Sequence, residues 1–92
     1  MIKRGNLTNK EEAAAYLKVA LGKYEEEGDH TAFLLALRNV AKAQGGMEDV
    51  AKNTESDRAY LYTVLSKKGN PRLSTLDPIL RAMGLRLSIE AV

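Results

Sequence analysis

Between residues 47 and 66 the chain sets two groups of apolar residues, Val50-Ala51 and Leu61 with Val64, on either side of a polar break. This spacing constrains the fold more than any other stretch. A short helix over about 47–53, a three-residue turn over 54–56 and a second helix over about 57–66 make a helix-turn-helix order. Two helices joined so closely cross steeply, and the crossing needs a small residue where the backbones approach. Ala51 stands at that point, and Val50, Leu61 and Val64 supply the apolar contacts that lock the angle. Ser56 is suited to cap the second helix, and Asp57 suits its positive end.

The remaining apolar residues build helices around this pair. Asn9 is a candidate N-cap, with Glu11 and Glu12 in the first turn. Ala13, Tyr16, Leu17, Ala20 and Tyr24 then follow helical spacing until Gly28 stops the run. Asp29 reads as the next cap, before a broad stripe of Phe33, Leu34, Leu37, Val40 and Ala41 that ends at Gly45-Gly46. In the fourth helix Tyr60, Leu61, Val64 and Leu65 form the expected inner face. A fifth helix starts at Ser74 or Thr75, with Pro78 expected in its first turn. Leu76, Ile79, Leu80 and Met83 face inward, and Gly84 closes it. Residues 1–8 read as a loose arm. In the tail, Leu85, Leu87 and Ile89 alternate with Arg86, Ser88 and Glu90, which is strand spacing. A lone strand needs a partner. It can pair with its copy in a dimer, add to another protein's sheet or stay flexible, and the first two are favoured. The expected architecture is therefore all-α, five helices in one domain over 1–92: an N-terminal helix over 9–28, a helix-turn-helix core over 29–84 and a short C-terminal β-strand over 85–92.

If Leu61 and Val64 face inward, then Asp57, Arg58, Ala59, Tyr62 and Thr63 lie on outer faces of the fourth helix. The N-terminal part of such a helix enters the DNA major groove. Arg58 is placed to reach guanine O6 and N7, Ala59 to allow close approach, and Tyr62 to touch a phosphate or a thymine methyl. Lys67, Lys68, Asn70 and Arg72 would meet the flanking phosphates, contributing affinity and salt dependence. The expected DNA-binding set is Ser56, Asp57, Arg58, Ala59, Tyr62, Thr63, Lys67, Lys68, Asn70 and Arg72. Charge agrees in its distribution more than in its total, which is +2. Residues 46–57 hold Glu48, Asp49, Glu55 and Asp57 against Lys52, whereas 58–86 hold Arg58, Lys67, Lys68, Arg72, Arg81 and Arg86 against Asp77. The blander readings are a good helix start at Ser56-Asp57 and lysines that suit a helix C-terminus.

Other classes are excluded by what the chain lacks. It has no cysteine, hence no disulfide, thiolate nucleophile or Cys-based zinc site, which fits a reducing cytoplasm. No apolar run spans a bilayer, and "MIKRGNLTNKEE" has no apolar segment of the secretory kind. The single histidine, His30, starts a helix and is expected to help its N-terminus or face solvent. Gly45-Gly46 is a helix stop rather than a nucleotide fingerprint. Neither an enzyme nor a cofactor is expected.

The segments "AYLKVAL", "EEGD", "FLLALRNVAKAQG", "LYTVLSKKGNPR" and "MGLRLSIE", in that order and spacing, resemble the HigA-like probable addiction-module antidote proteins. The resemblance covers about residues 11–91. It implies a small antitoxin with a lambda-repressor-like (Xre-type) helix-turn-helix. Such a protein binds a RelE/HigB-like toxin, typically a ribonuclease, and represses the shared promoter through double-stranded operator DNA. Arg58 matches the arginine early in the family's recognition helix, Tyr62 its "LY" tyrosine, and Gly69 to Arg72 the following loop. The turn departs from the family pattern: Glu55 and Ser56 stand where a glycine and an apolar residue are usual. A homodimer is expected through the fifth helix and the tail strand. The toxin is expected on the N-terminal helix, Glu11 to Glu27, with the tail as a second candidate surface; the helix's end gathers Glu25, Glu26, Glu27 and Asp29. Two alternatives remain: a phage-type repressor without a toxin partner, and a helical interaction module that has lost DNA binding.

Overall fold

A computed structural model describes residues 7–54, 58–66 and 69–91, with the side chains of Asn53 and Arg58 outside that description. Five helices run in order: α1 Lys10–Glu27, α2 Thr31–Ala43, α3 Met47–Thr54, α4 Arg58–Val64 and α5 Leu73–Ala82. The radius of gyration is 12.4 Å, close to the ~12 Å of a compact domain of this length.

Local chemistry explains the helix ends. Asn9 caps α1 by accepting the Glu12 amide at 3.1 Å, and Gly28, at φ 73°, closes it with its own N–H on the Tyr24 carbonyl. At the start of α2, Asp29 Oδ1 accepts the Thr31 N–H at 2.9 Å, although His30 occupies the cap position. Gly45 and Gly46 follow α2 with φ 112° and 90°. The Gly46 amide reaches back to the Ala41 carbonyl, a Schellman closure that turns the chain straight into α3.

The core forms around α2. Its Phe33, Leu34, Ala36, Leu37, Val40 and Ala41 are all buried, against Ala13 and Leu17 of α1, Val50 and Ala51 of α3, Leu61 and Val64 of α4, and Ile79 and Leu80 of α5. Each fully buried large aliphatic side chain contributes roughly 1.5–3 kcal/mol. No polar side chain is buried in this core among the described residues. α1 packs on α2, whereas α3 packs on α4 and α5.

Several expectations are corrected. No strand is present among the described residues, and residues 85–91 run without regular secondary structure. The alternation of Leu85, Leu87 and Ile89 is real, but the chain offers no second strand to pair with it. Leu7, assigned to a loose arm, is buried, and its carbonyl accepts from Gln44 Nε2 at 3.2 Å. Tyr60, assigned to an inner face, is 50% exposed, and Tyr24, in the apolar spacing of the first helix, is 43% exposed. α5 begins at Leu73 rather than at Ser74 or Thr75, so Pro78 lies in its second turn and leaves the exposed Ser74 carbonyl without an i+4 amide.

Candidate nucleic-acid interface

The candidate site is the surface of α4 with the loop that follows it. α4 turns Leu61 and Val64 into the core, while Ala59 and Thr63 are exposed and Tyr60 is half-exposed. α3 supplies the support. Glu48 and Asp49 occupy its first turn, where the helix dipole favours carboxylates. Thr54 ends it by donating its hydroxyl to the Val50 carbonyl at 2.8 Å. Val50 and Ala51 are buried on α3, which packs on α4 and α5.

The end of α4 is held by short-range bonds. Thr63 Oγ1 donates to the Ala59 carbonyl at 3.1 Å, Ser66 Oγ donates to the Thr63 carbonyl at 2.7 Å, and the Gly69 amide donates to the Ser66 carbonyl at 3.0 Å. Gly69 is required by proximity: a Cβ there would fall on the Val64 carbonyl. Its own carbonyl lies 2.7 Å from His30 Nε2. A carbonyl only accepts, so this nitrogen carries the proton. His30 thus stands at the N-cap of α2, as expected, but its ring makes no cap bond and points to this loop instead. It ties the start of α2 to the loop after α4.

Tyr62 is also tied back. Its ring lies under the Arg38 guanidinium, whose carbon is 4.9 Å from the ring centroid. Tyr62 borders a cleft of about 330 Å³ with Lys42, Met47 and Glu48. On the other side of α4, a cleft of about 400 Å³ is lined by Tyr60, Thr63, Asn70, Arg72, Ser74 and Thr75. It opens beside the N-terminus of α5, which has no side-chain cap. Hydroxyls, an amide and a guanidinium thus gather where α5 presents its positive end.

Of the expected site residues, Ala59, Thr63, Asn70 and Arg72 are exposed, the last three lining one cleft, while half-buried Tyr62 borders the other. Arg58 opens α4, and its side chain lies outside the description. Ser56, Asp57, Lys67 and Lys68, with Glu55, lie outside the described residues. Sequence reasoning missed Arg38, Tyr60, Ser74 and Thr75. Tyr60 lies one helical turn before Val64, at the margin of the inner stripe, and only packing reveals that it emerges. Arg38 carries no signal either, since its stack on Tyr62 joins helices far apart in the chain. Among the described residues, no three His, Asp or Glu side chains gather as metal ligands, and no helix is long and apolar enough to cross a membrane.

The sequence matches the family model described as "Probable addiction module antidote protein" over residues 3–91. An uncharacterized protein of Haemophilus influenzae is 31% identical over 85 residues, which span 92% of this chain and 82% of that protein. No solved structure matches the chain.

Proposed function

The chain belongs to the probable addiction module antidote protein family, and on that premise we propose that it is a DNA-binding antitoxin that neutralises a RelE/HigB-like toxin and represses the operon encoding both. The observation that carries the reading is the reach of the family match, from before α1 to the tail. The antidote role, with a toxin partner, comes from the family. The toxin class, the operator DNA and the dimer are the proposal.

Three features support DNA binding. α3 and α4 follow each other in helix-turn-helix order, with Val50, Ala51, Leu61 and Val64 all buried. The outward flank of α4 holds the small Ala59 and the hydroxyl of Thr63. The cleft beside it presents Asn70, Arg72, Ser74 and Thr75, groups that hydrogen-bond phosphate oxygens. A homodimer through α5 and the tail would set two copies of α4 about one DNA turn, ~34 Å, apart.

The toxin surface is proposed on the second half of α1. Glu25, Glu26 and Glu27 are exposed there beside the exposed apolar side chains of Val19 and Tyr24. An acidic, partly apolar helix end of this kind suits the basic surface of an RNA-cleaving protein. Replacing all three glutamates by lysine should abolish capture of the coexpressed neighbouring toxin while leaving helix content intact. Full capture by that variant removes α1 as the toxin site.

Mobility shift on the protein's own promoter DNA at two salt concentrations tests the other half. Affinity should fall steeply as salt rises. Arg58→Ala should cost ~1–3 kcal/mol and relax preference at one base pair, whereas Arg72→Ala should weaken all sequences alike. Salt-independent or absent binding leaves a toxin-binding helical module without a regulatory role.

A further inference from the structure

Residues 85–91 leave α5 through a Schellman closure. The Gly84 amide meets the Arg81 carbonyl at 3.0 Å, and the Leu85 amide meets the Leu80 carbonyl at 2.9 Å. Leu85 is half-buried on the core, and beyond it the segment is exposed. Leu87 is 41% exposed and Ile89 98%. Among the described residues, no backbone–backbone hydrogen bond involves residues 86–91. One ion pair, Lys18 Nζ to Glu90 Oε1 at 3.1 Å, lays the segment beside α1, and both side chains are 71% exposed. A pair so solvated holds the segment weakly and does not fix its partner.

We infer that this segment pairs antiparallel with the same segment of a second copy, in the one register that sets Ser88 opposite Ser88. The inference rests on the dimer proposed above and gives it a residue-level interface. Side chains alternate between faces along a strand, so pairing must set apolar opposite apolar and polar opposite polar. Every register that shifts one strand by a single residue places leucine against serine or a charge, and is rejected. Of the even registers, the one centred on Ser88 sets Arg86 opposite Glu90 twice, once on each side of the two-fold axis. Leu87 then faces Ile89, and Leu85 faces Ala91. Centring on Leu87 sets Arg86 against Ser88 and Glu90 against Gly84, which the end of α5 already holds at φ 78°. Centring on Ile89 sets Glu90 against Ser88 and leaves Arg86 without a carboxylate. Opposite charges directly across an antiparallel pair stabilise it, and like charges destabilise it. A strand designed for a foreign sheet has no reason to be complementary to itself about its own centre. A two-stranded ribbon is marginal by itself, and the half-buried Leu85 anchors each strand to its own core.

The chain has no cysteine, so single cysteines report the register in the full-length protein. Ser88→Cys should oxidise rapidly to a linked dimer. Arg86→Cys alone and Glu90→Cys alone should not, but an equimolar mixture of the two should. Sedimentation should show Arg86→Glu weakening the dimer about tenfold, with Arg86→Glu/Glu90→Arg restoring it to within about threefold. Circular dichroism should remain unchanged throughout, because these side chains are exposed. A dimer of unchanged affinity in Arg86→Glu overturns the inference but leaves the dimer and antitoxin readings standing. A monomer at every concentration removes the dimer and the inference together. If the Ser88→Cys variant cross-links to the coexpressed toxin rather than to a second copy, the segment belongs to a foreign sheet and the inference is likewise overturned.

Discussion

Two glycines show how the atom that a side chain would meet decides its cost. At Gly84 a Cβ would approach Lys10 Cε at 2.5 Å. That atom ends a flexible chain and can swing away, so the penalty is mainly the left-handed backbone at φ 78°. Gly84→Ala should destabilise by about 1–2 kcal/mol in urea titration. At Gly69 the obstacle is the Val64 backbone carbonyl, which cannot move without α4. Gly69→Ala should cost more than Gly84→Ala and release His30 from the loop carbonyl. Asp29 gives a pH-dependent test. The Thr31 N–H on Oδ1 holds its carboxyl below the ordinary value of 3.8. A carboxyl lowered on folding stabilises the protein above its unfolded value and loses that contribution as pH falls through its folded value. Asp29→Ala should therefore melt below wild type at neutral pH, and the gap should close as the pH falls below 3.8.

Between elements, the decisive contact is the crossing of α3 and α4. Ala51 of α3, the small residue expected at that crossing, is 5% exposed. Ala51→Leu forces extra volume into a packed junction, and overpacking of this kind typically costs ~1–3 kcal/mol. If α4 binds the promoter as proposed, the substitution should also reduce promoter affinity. A melting loss without any change in affinity would separate the junction from the proposed DNA surface. This junction was legible in the sequence, because Val50, Ala51, Leu61 and Val64 follow from helical period alone. So were the α2 stripe and the stops at Gly28, Gly45-Gly46 and Gly84. What was not legible depended on contacts between distant segments. Tyr24 and Tyr60 fit a helical stripe at its margins, and only packing decides that they emerge. Leu7 lies outside any periodic run, yet the end of α2 binds it. The tail had strand period, but a period specifies a face and not the presence of a partner.

At the scale of the molecule, α1 is part of the core rather than an appendage to a repressor-like unit. Its Ala13 and Leu17 are buried, with Leu7 before them, and Tyr16 Oη accepts from Asn39 Nδ2 at 2.9 Å. The natural experiment for toxin binding, removal of residues 1–28, would strip these groups from α2 at once. Phe33, Leu34 and Leu37 lie in the same core, and losing the facing helix would expose apolar surface on a central element. Each lost large side chain costs a few kcal/mol by analogy with cavity-forming substitutions, against a total stability of ~5–15 kcal/mol. The truncated protein should therefore lose more helical signal than α1 alone contributes and should lack a cooperative urea transition. If it instead unfolds cooperatively with the helices from α2 onward intact, α1 is a separable arm, and truncation becomes a fair test of toxin capture. The glutamate-to-lysine variant avoids this ambiguity, because Glu25, Glu26 and Glu27 are exposed beyond the last buried residue of α1. If α1 is the toxin site, as proposed, that variant loses capture without disturbing the buried residues by which α1 packs on α2.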